Sequence, residues 1–134
     1  DLGVLLVGLE EPLVRDAVLL SVATGTEAER ALSQDGDVLL EQVFGPGGPA
    51  PEAARMLRGT EVLQLLAAVA ARGRAAGAWA VLAWLAWFEG NGARADLCLR
   101  ECLSLDPAHR LGQLIRRAVD HGIPPGWARA ASAA

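Results

Sequence analysis

The apolar pattern of the chain is densest between Ala75 and Phe88, where fourteen consecutive residues carry no charge. A helix that is apolar on every side must be enclosed by other elements, so this segment is predicted to be the central core helix. A bilayer span requires about twenty apolar residues. Here Arg72 and Arg74 precede the stretch and Glu89 follows it. The pattern therefore predicts a buried helix and no membrane span.

A turn and a second apolar helix follow the core helix. Gly90 is suited to a left-handed helix stop, and Asn91 and Gly92 to the turn itself. Apolar periodicity then resumes from Ala93 until Pro107 interrupts it. The segment 76–107 is thus predicted to be a tight pair of antiparallel helices.

The N-terminal part shows shorter apolar segments. We expect helices at Leu2–Leu9 and from Pro12 to Gly25, a weak helical turn within Glu27–Ser33, and a further apolar period at Val38–Phe44. The stretch 45–51 contains three prolines and three glycines, a composition that predicts a surface loop.

Two further helices are predicted before the core helix and one after the pair. Glu52–Arg58 is expected to bend at Gly59 into Glu61–Ala71, with Thr60 as the N-cap of the second helix. The last helix, 108–121, is predicted to end at Gly122. Its apolar face comprises Leu111, Leu114, Ile115, Ala118 and Val119. The tail 126–134 is expected to fray apart from a docked Trp127, and the whole chain is predicted to be all-α with six to eight helices.

The spacing within 76–107 resembles one tetratricopeptide repeat. The positions that match its W-x2-L-G-x2-Y, A-x3-F and P intervals are Trp79, Leu82-Ala83, Ala86, Gly90, Ala95, Leu99, Cys102 and Pro107. Four of them depart from the usual residue type, namely Ala83, Ala86, Leu99 and Cys102. No second unit follows at the repeat's period of about 34 residues, and a solenoid needs about three units. The resemblance therefore implies one repeat-like hairpin and no array.

A wider set of motifs resembles the C-terminal half of an actinobacterial family, the domain of unknown function 4192. The motifs are EPLVRDA at 11–17, LAW at 85–87 with GNGA at 90–93, LDPAHRL at 105–111 and GIPP at 122–125. The resemblance implies that residues 1–134 form a single helical domain from the C-terminal part of a longer protein. It brings no established activity, cofactor or catalytic residue.

The net charge of −4 combines two halves of opposite sign. Residues 1–50 hold nine acidic side chains and two Arg, a net −7, and residues 51–134 hold seven acidic side chains and ten Arg, a net +3. Two interpretations stay open: complementary or solvated faces within one molecule, and head-to-tail self-association. Surface ion pairs contribute only about 0 to 1 kcal/mol each, which favours the first. The acidic balance and the scattered Arg residues disfavour nucleic acid as a partner.

No residue pattern nominates a catalytic or cofactor site. Cys98 and Cys102 share a helical face, and His109 and His121 could complete a metal set, but the spacing is unlike that of zinc sites and buried free Cys is common. Phosphate-binding, dinucleotide-binding, zinc-protease and nucleophile-elbow motifs are absent from the sequence. We therefore predict no metal, no cofactor and no catalytic residue. A leader pattern is also lacking, which favours the cytoplasm.

The function that this pattern favours is a protein-interaction or scaffolding module. By analogy with tetratricopeptide grooves, the partner face would present Ala80, Trp84, Trp87 and Phe88. The competing and favoured interpretation is that these residues are ordinary core, because soluble chains seldom leave large apolar patches open. Two alternatives remain: an accessory domain of an enzyme whose active site lies in an N-terminal half outside this sequence, and a self-associating structural domain.

Overall fold

A computed structural model describes Val22 and residues 50–70 and 75–128, and nearly all of this part of the chain is helical. The helices are α1 (Ala53–Val69), α2 (Ala75–Phe88), α3 (Gly92–Leu105) and α4 (Arg110–Asp120), followed by a helical turn at 126–128. No strand occurs within the described ranges, which confirms the helical class for them. Of the helices predicted before residue 45, the structure describes only Val22, which is helical, so the total of six to eight is not confirmed.

Helix α2 is the centre of the fold, as its uninterrupted apolar sequence predicts. Every residue of α2 except Trp79 is buried, and α2 packs against α1, α3 and α4. Within the described part of the chain, no helix is both long enough and apolar enough to cross a bilayer. The expectation of an enclosed core helix is thus confirmed.

The turn between α2 and α3 follows from two local residues. Gly90 has a φ of 83°, and the backbone N–H of Asn91 donates to the Ala86 carbonyl at 2.8 Å, a hydrogen bond that closes the end of α2. The Asn91 side chain then accepts from the backbone N–H of Arg94 at 3.0 Å and caps α3. The two helices joined by this short connection pack against each other.

Helix α1 is one continuous helix, and the predicted bend at Gly59 and Thr60 is wrong. The Glu52 side chain caps the helix by accepting from the backbone N–H of Ala54 and Arg55 at 3.2 and 2.9 Å. Thr60 lies mid-helix and is buried, so it is not an N-cap. The helix begins after its Glu52 cap, so Thr60, eight residues further on, lies inside the helix and not at a helix start.

Gly59 is accounted for by close packing with Val22. A Cβ at Gly59 would lie 2.9 Å from Val22 Cγ1, well inside van der Waals contact. Arg55 Nε also donates to the Val22 carbonyl at 2.6 Å. The glycine that resembled a helix break in the sequence is therefore a contact point for an earlier part of the chain.

Helix α4 packs through a second glycine. Gly112 faces Cys102 of α3, whose Sγ lies 2.9 Å from the position that a Cβ would take. His109 caps α4, since its Nδ1 accepts from the backbone N–H of Gly112 at 3.1 Å. Gly122, with a φ of 65°, ends the helix region, and the N–H of Ile123 donates to the Ala118 carbonyl at 2.8 Å.

Not every apolar residue of α4 and α1 is buried. Leu111 and Ile115 of α4 are buried, whereas Leu114 is 58% exposed. On α1, Leu63 and Leu66 are buried, but Val62 and Leu65 are exposed. Apolar periodicity predicts which residues share a helix face. It does not predict how much of that face the neighbouring helices cover.

Candidate functional site

Two indole hydrogen bonds fasten the C-terminal segment across the end of the α2–α3 hairpin. Trp87 Nε1 donates to the Ile123 carbonyl at 2.8 Å, and Trp127 Nε1 donates to the Phe88 carbonyl at 2.7 Å. We call residues 122–128 the C-terminal strap. Because each indole reaches the backbone of the opposite segment, the strap is held at both ends, and the docking expected of Trp127 is confirmed.

The strap, α2 and α4 enclose an apolar hollow of about 250 Å³, which we call the Trp87 groove. Its lining residues are Trp84, Trp87, Leu111, Leu114, Ile115, Ala118, Ile123 and Pro124. A second hollow of about 330 Å³ lies next to the first and shares Trp87, Ala118, Ile123 and Pro124 with it. Together they form an apolar depression around one indole ring.

The rim of the Trp87 groove is exposed to solvent. Leu114 is 58% exposed and Ile123 is 47% exposed, and Pro124 is exposed as well. Beneath them Trp87 is 8% exposed and Trp84 only 1%. The groove therefore has an aromatic floor and aliphatic walls that stay in contact with water.

The four residues proposed from the sequence as a partner face are all buried. Ala80 and Phe88 have no exposed surface, and Trp84 and Trp87 are 1% and 8% exposed. The Trp84 ring stacks on Phe88 with centroids 5.0 Å apart, and it meets Trp87 at 6.1 Å. This burial agrees with the core interpretation of Trp84. Whether any of the four contacts a partner stays a prediction.

A charged cluster joins α3 to α4. It thereby helps to hold α4 in position beside the Trp87 groove. Asp96 on α3 accepts from Arg116 of α4, with Nη1 to Oδ1 at 2.7 Å. The other carboxylate oxygen of Asp96 meets Arg100 Nη2 at 3.0 Å. Arg116 Nε also approaches Asp120 Oδ1 at 3.7 Å. The Asp96–Arg116 pair is partly buried and links the two helices across twenty residues of sequence, while Arg100 and Asp120 are exposed.

The candidate metal residues do not converge. Cys98 and Cys102 are buried thiols of α3, while His109 is engaged as the cap of α4. In residues 50–70 and 75–128, no three His, Cys, Asp or Glu side chains are grouped as a metal would require. Burial raises the pKa of the Cys98 thiol, with a smaller opposing effect from Arg94. The absence of a bound metal remains a prediction.

The lining of the Trp87 groove consists of aromatic and aliphatic residues. None of its lining residues titrates near neutral pH, so the lining offers no general acid, general base or nucleophile of ordinary reactivity. An apolar hollow of this kind recognises apolar groups through desolvation and shape. The groove is therefore a candidate docking surface.

Sequence reasoning missed the rim of this groove. Leu114 was placed on the apolar face of the last helix, and Ile123 was named only as part of the GIPP motif. One signal was present: GIPP at 122–125 places an apolar residue and two prolines directly after a helix stop, which fixes a stiff apolar segment against the preceding helix. The position of that segment beside Trp87 depends on a hydrogen bond across thirty-six residues, which no local pattern contains.

Comparison with curated proteins and with solved structures gives no match for this chain. Comparison with protein families gives one that spans residues 1–126, described as Domain of unknown function (DUF4192). The match covers nearly the whole sequence, including the described helices and most of the strap. The chain therefore belongs to the DUF4192 family, as the motifs quoted from its sequence indicated.

Proposed function

We propose that this protein is a protein-interaction module whose Trp87 groove receives an apolar side chain of a partner protein. The supporting observation is the pair Leu114 and Ile123, two aliphatic side chains about half exposed above an aromatic floor. Aromatic residues surrounded by apolar contacts that exclude water are typical of the energetic centres of protein interfaces. Burying this rim against a partner would remove apolar surface from water, which is favourable at roughly 25 cal/mol per Å².

The shape of the site favours a protein segment over an enclosed small molecule. Pockets for small molecules usually occupy about 300 to 1,000 Å³ and bury most of the ligand's surface. The volumes of the Trp87 groove and the second hollow, about 250 and 330 Å³, do not exclude a small molecule, but the exposed rim would leave such a ligand in contact with water. The second hollow shares Trp87 and Pro124 with the groove. A helical or extended segment crossing the strap could place one side chain in each hollow.

Two of the four residues predicted from the sequence as a partner face line the Trp87 groove, and the other two do not. Trp84 and Trp87 belong to the floor of the Trp87 groove, where their edges would meet an incoming side chain. Ala80 and Phe88 are completely buried, and their role in the proposal is to hold α2 in place.

The test is a pull-down from the protein's own cell lysate with matched surface variants as bait. Leu114→Ser and Ile123→Ser alter the groove rim, and Leu97→Ser is the control, because Leu97 is 62% exposed on α3 and does not line the groove. The proposal expects proteins retained by the wild type and by Leu97→Ser to be lost from both rim variants. Equal retention by all four baits would contradict it.

A further variant separates the groove from a rival surface. The outer side of α1 also exposes apolar residues, Leu57, Val62 and Leu65. If Leu65→Ser loses the retained proteins while Leu114→Ser keeps them, the docking surface lies on α1 and the groove proposal is wrong. Far-UV circular dichroism of each bait verifies that it is folded.

A further inference from the structure

The side of α4 next to the Trp87 groove is basic. Arg110, Gln113 and Arg117 lie three and four residues apart, so they share one face of the helix, and with Leu114 they line a shallow cleft. Leu114 lines both this cleft and the Trp87 groove. A segment bound in the groove would therefore pass directly beside the two guanidinium groups.

The arginines of this cleft differ from those of the neighbouring charged cluster. Arg116 and Arg100 are paired with Asp96, whereas Arg110 and Arg117 are exposed and form no ion pair with any residue that the structure describes. Arg110 is also the first residue of α4, where the helix dipole disfavours a positive charge. Arg117 lies in the last turn, where the dipole favours it. At least Arg110 is thus placed against the electrostatic preference of its own helix.

Resting on the proposed function, we infer that the partner of the Trp87 groove is an acidic amphipathic helix. Its apolar side chains occupy the groove, and carboxylates on the same helix face Arg110 and Arg117. Guanidinium groups bind carboxylates through paired charge-assisted hydrogen bonds, which suits a cleft with two arginines and one amide. An amphipathic helix presents apolar and acidic side chains three and four residues apart, the same spacing that α4 uses to present Leu114 and its basic neighbours.

The test uses three synthetic peptides with the same leucine stripe along a helix, flanked by glutamate, by glutamine or by lysine. Binding to the full 134-residue chain is measured by fluorescence polarisation. Exposed ion pairs contribute modestly, so the glutamate peptide is expected to bind about fivefold more tightly than the glutamine peptide, and the lysine peptide most weakly. The difference should shrink as salt rises from about 0.1 to about 1 M, because the Debye length falls from about 10 to about 3 Å.

Two variants test whether the preference for the glutamate peptide comes from Arg110 and Arg117. The double variant Arg110→Gln, Arg117→Gln is expected to bind the glutamate and glutamine peptides equally, and Arg58→Gln, an exposed arginine on α1, is expected to keep the preference. Equal binding of the three peptides to the wild type would overturn the inference, as would no binding of any of them. So would charge-dependent attachment to anionic phosphatidylglycerol vesicles without peptide binding, since the cleft would then serve a lipid surface.

Failure of the inference and failure of the proposed function give different results. If Leu114→Ser weakens all three peptides and the wild type does not distinguish them, the groove binds apolar side chains and only the acidic partner is wrong. If Leu114→Ser leaves the binding of every peptide unchanged, the groove is not the docking surface and both are wrong.

Discussion

Helices α2 and α4 both pack against the core, but they differ in what covers their remaining sides. α2 is enclosed by three helices and the strap, and only Trp79 of its fourteen residues escapes full burial. α4 buries Leu111, Gly112 and Ile115 and leaves Leu114 and two arginines in solvent. The first arrangement serves stability, and the second leaves a surface on which something else can pack. The same apolar residue types therefore have different consequences in the two helices.

The largest effect should come from removing the central indole of α2. Trp84→Ala deletes a side chain that is 1% exposed and stacked on Phe88, so we expect a loss of about 3 to 5 kcal/mol in the free energy of unfolding. Leu114→Ala on α4 is the matched comparison and should cost less than about 1 kcal/mol. Urea denaturation measures both. A free energy of unfolding for Trp84→Ala that equals the wild-type value within experimental error would refute the packing account of α2.

The contact between α3 and α4 should be nearly as sensitive to added volume. Gly112→Ala places a methyl group 2.9 Å from Cys102 Sγ, and Cys102 is fully buried, so we expect a loss of about 1 to 3 kcal/mol. The control is Gly92→Ala, whose new methyl group meets nothing within 4 Å at the start of α3 and should be neutral or slightly stabilising. Equal stability of the two variants would mean that α4 can move away from α3 at little cost.

The charged cluster between α3 and α4 should have a smaller effect that depends on salt. Asp96→Asn removes the carboxylate shared by Arg100 and Arg116, and we expect a loss of about 1 kcal/mol because the cluster is only half-buried. The loss should diminish in high salt, where exposed charges are screened. Asp120→Asn, at 58% exposure and 3.7 Å from Arg116, is the milder control. A salt-independent loss would indicate packing and not charge.

The smallest effect concerns the Cys98 thiol. Burial raises its pKa, so iodoacetamide should modify it more slowly than an unfolded thiol at neutral pH, and Cys98→Ser identifies its share of the reaction. Because the unfolded state releases this proton first, the stability of the fold should decline as pH rises through the ordinary thiol pKa towards the raised one. Modification of the native protein as fast as in denaturant would contradict the burial of Cys98.

The local parts of this fold could be predicted from the sequence, and the long-range parts could not. The apolar run of α2, the left-handed Gly90 and Gly122, and the cap at Asn91 depend on neighbours within a few residues. Gly59 was misread as a helix break, because the reason for a glycine there is Val22, thirty-seven positions earlier.

The candidate site illustrates the same limit. Trp84 and Trp87 were expected in the core, and their burial agrees with that expectation, but their place at the floor of a groove depends on where α4 and the strap lie. The rim exists because Trp87 binds the Ile123 carbonyl and Trp127 binds that of Phe88. Periodicity places residues on helix faces, while the pairing of distant faces decides which apolar residues remain exposed.

The most direct test of the central claim follows the four indole N–H signals of the protein by NMR during titration with the glutamate-flanked leucine peptide. Trp87 lines both hollows and Trp79 lines neither, about two turns away along α2. The account predicts that the Trp87 indole signal shifts with peptide concentration in the wild type, that the Trp79 signal stays in place, and that Leu114→Ser reduces the Trp87 shift. A stationary Trp87 signal while the peptide binds, or a shift confined to Trp79, would contradict the assignment of the Trp87 groove as the docking surface.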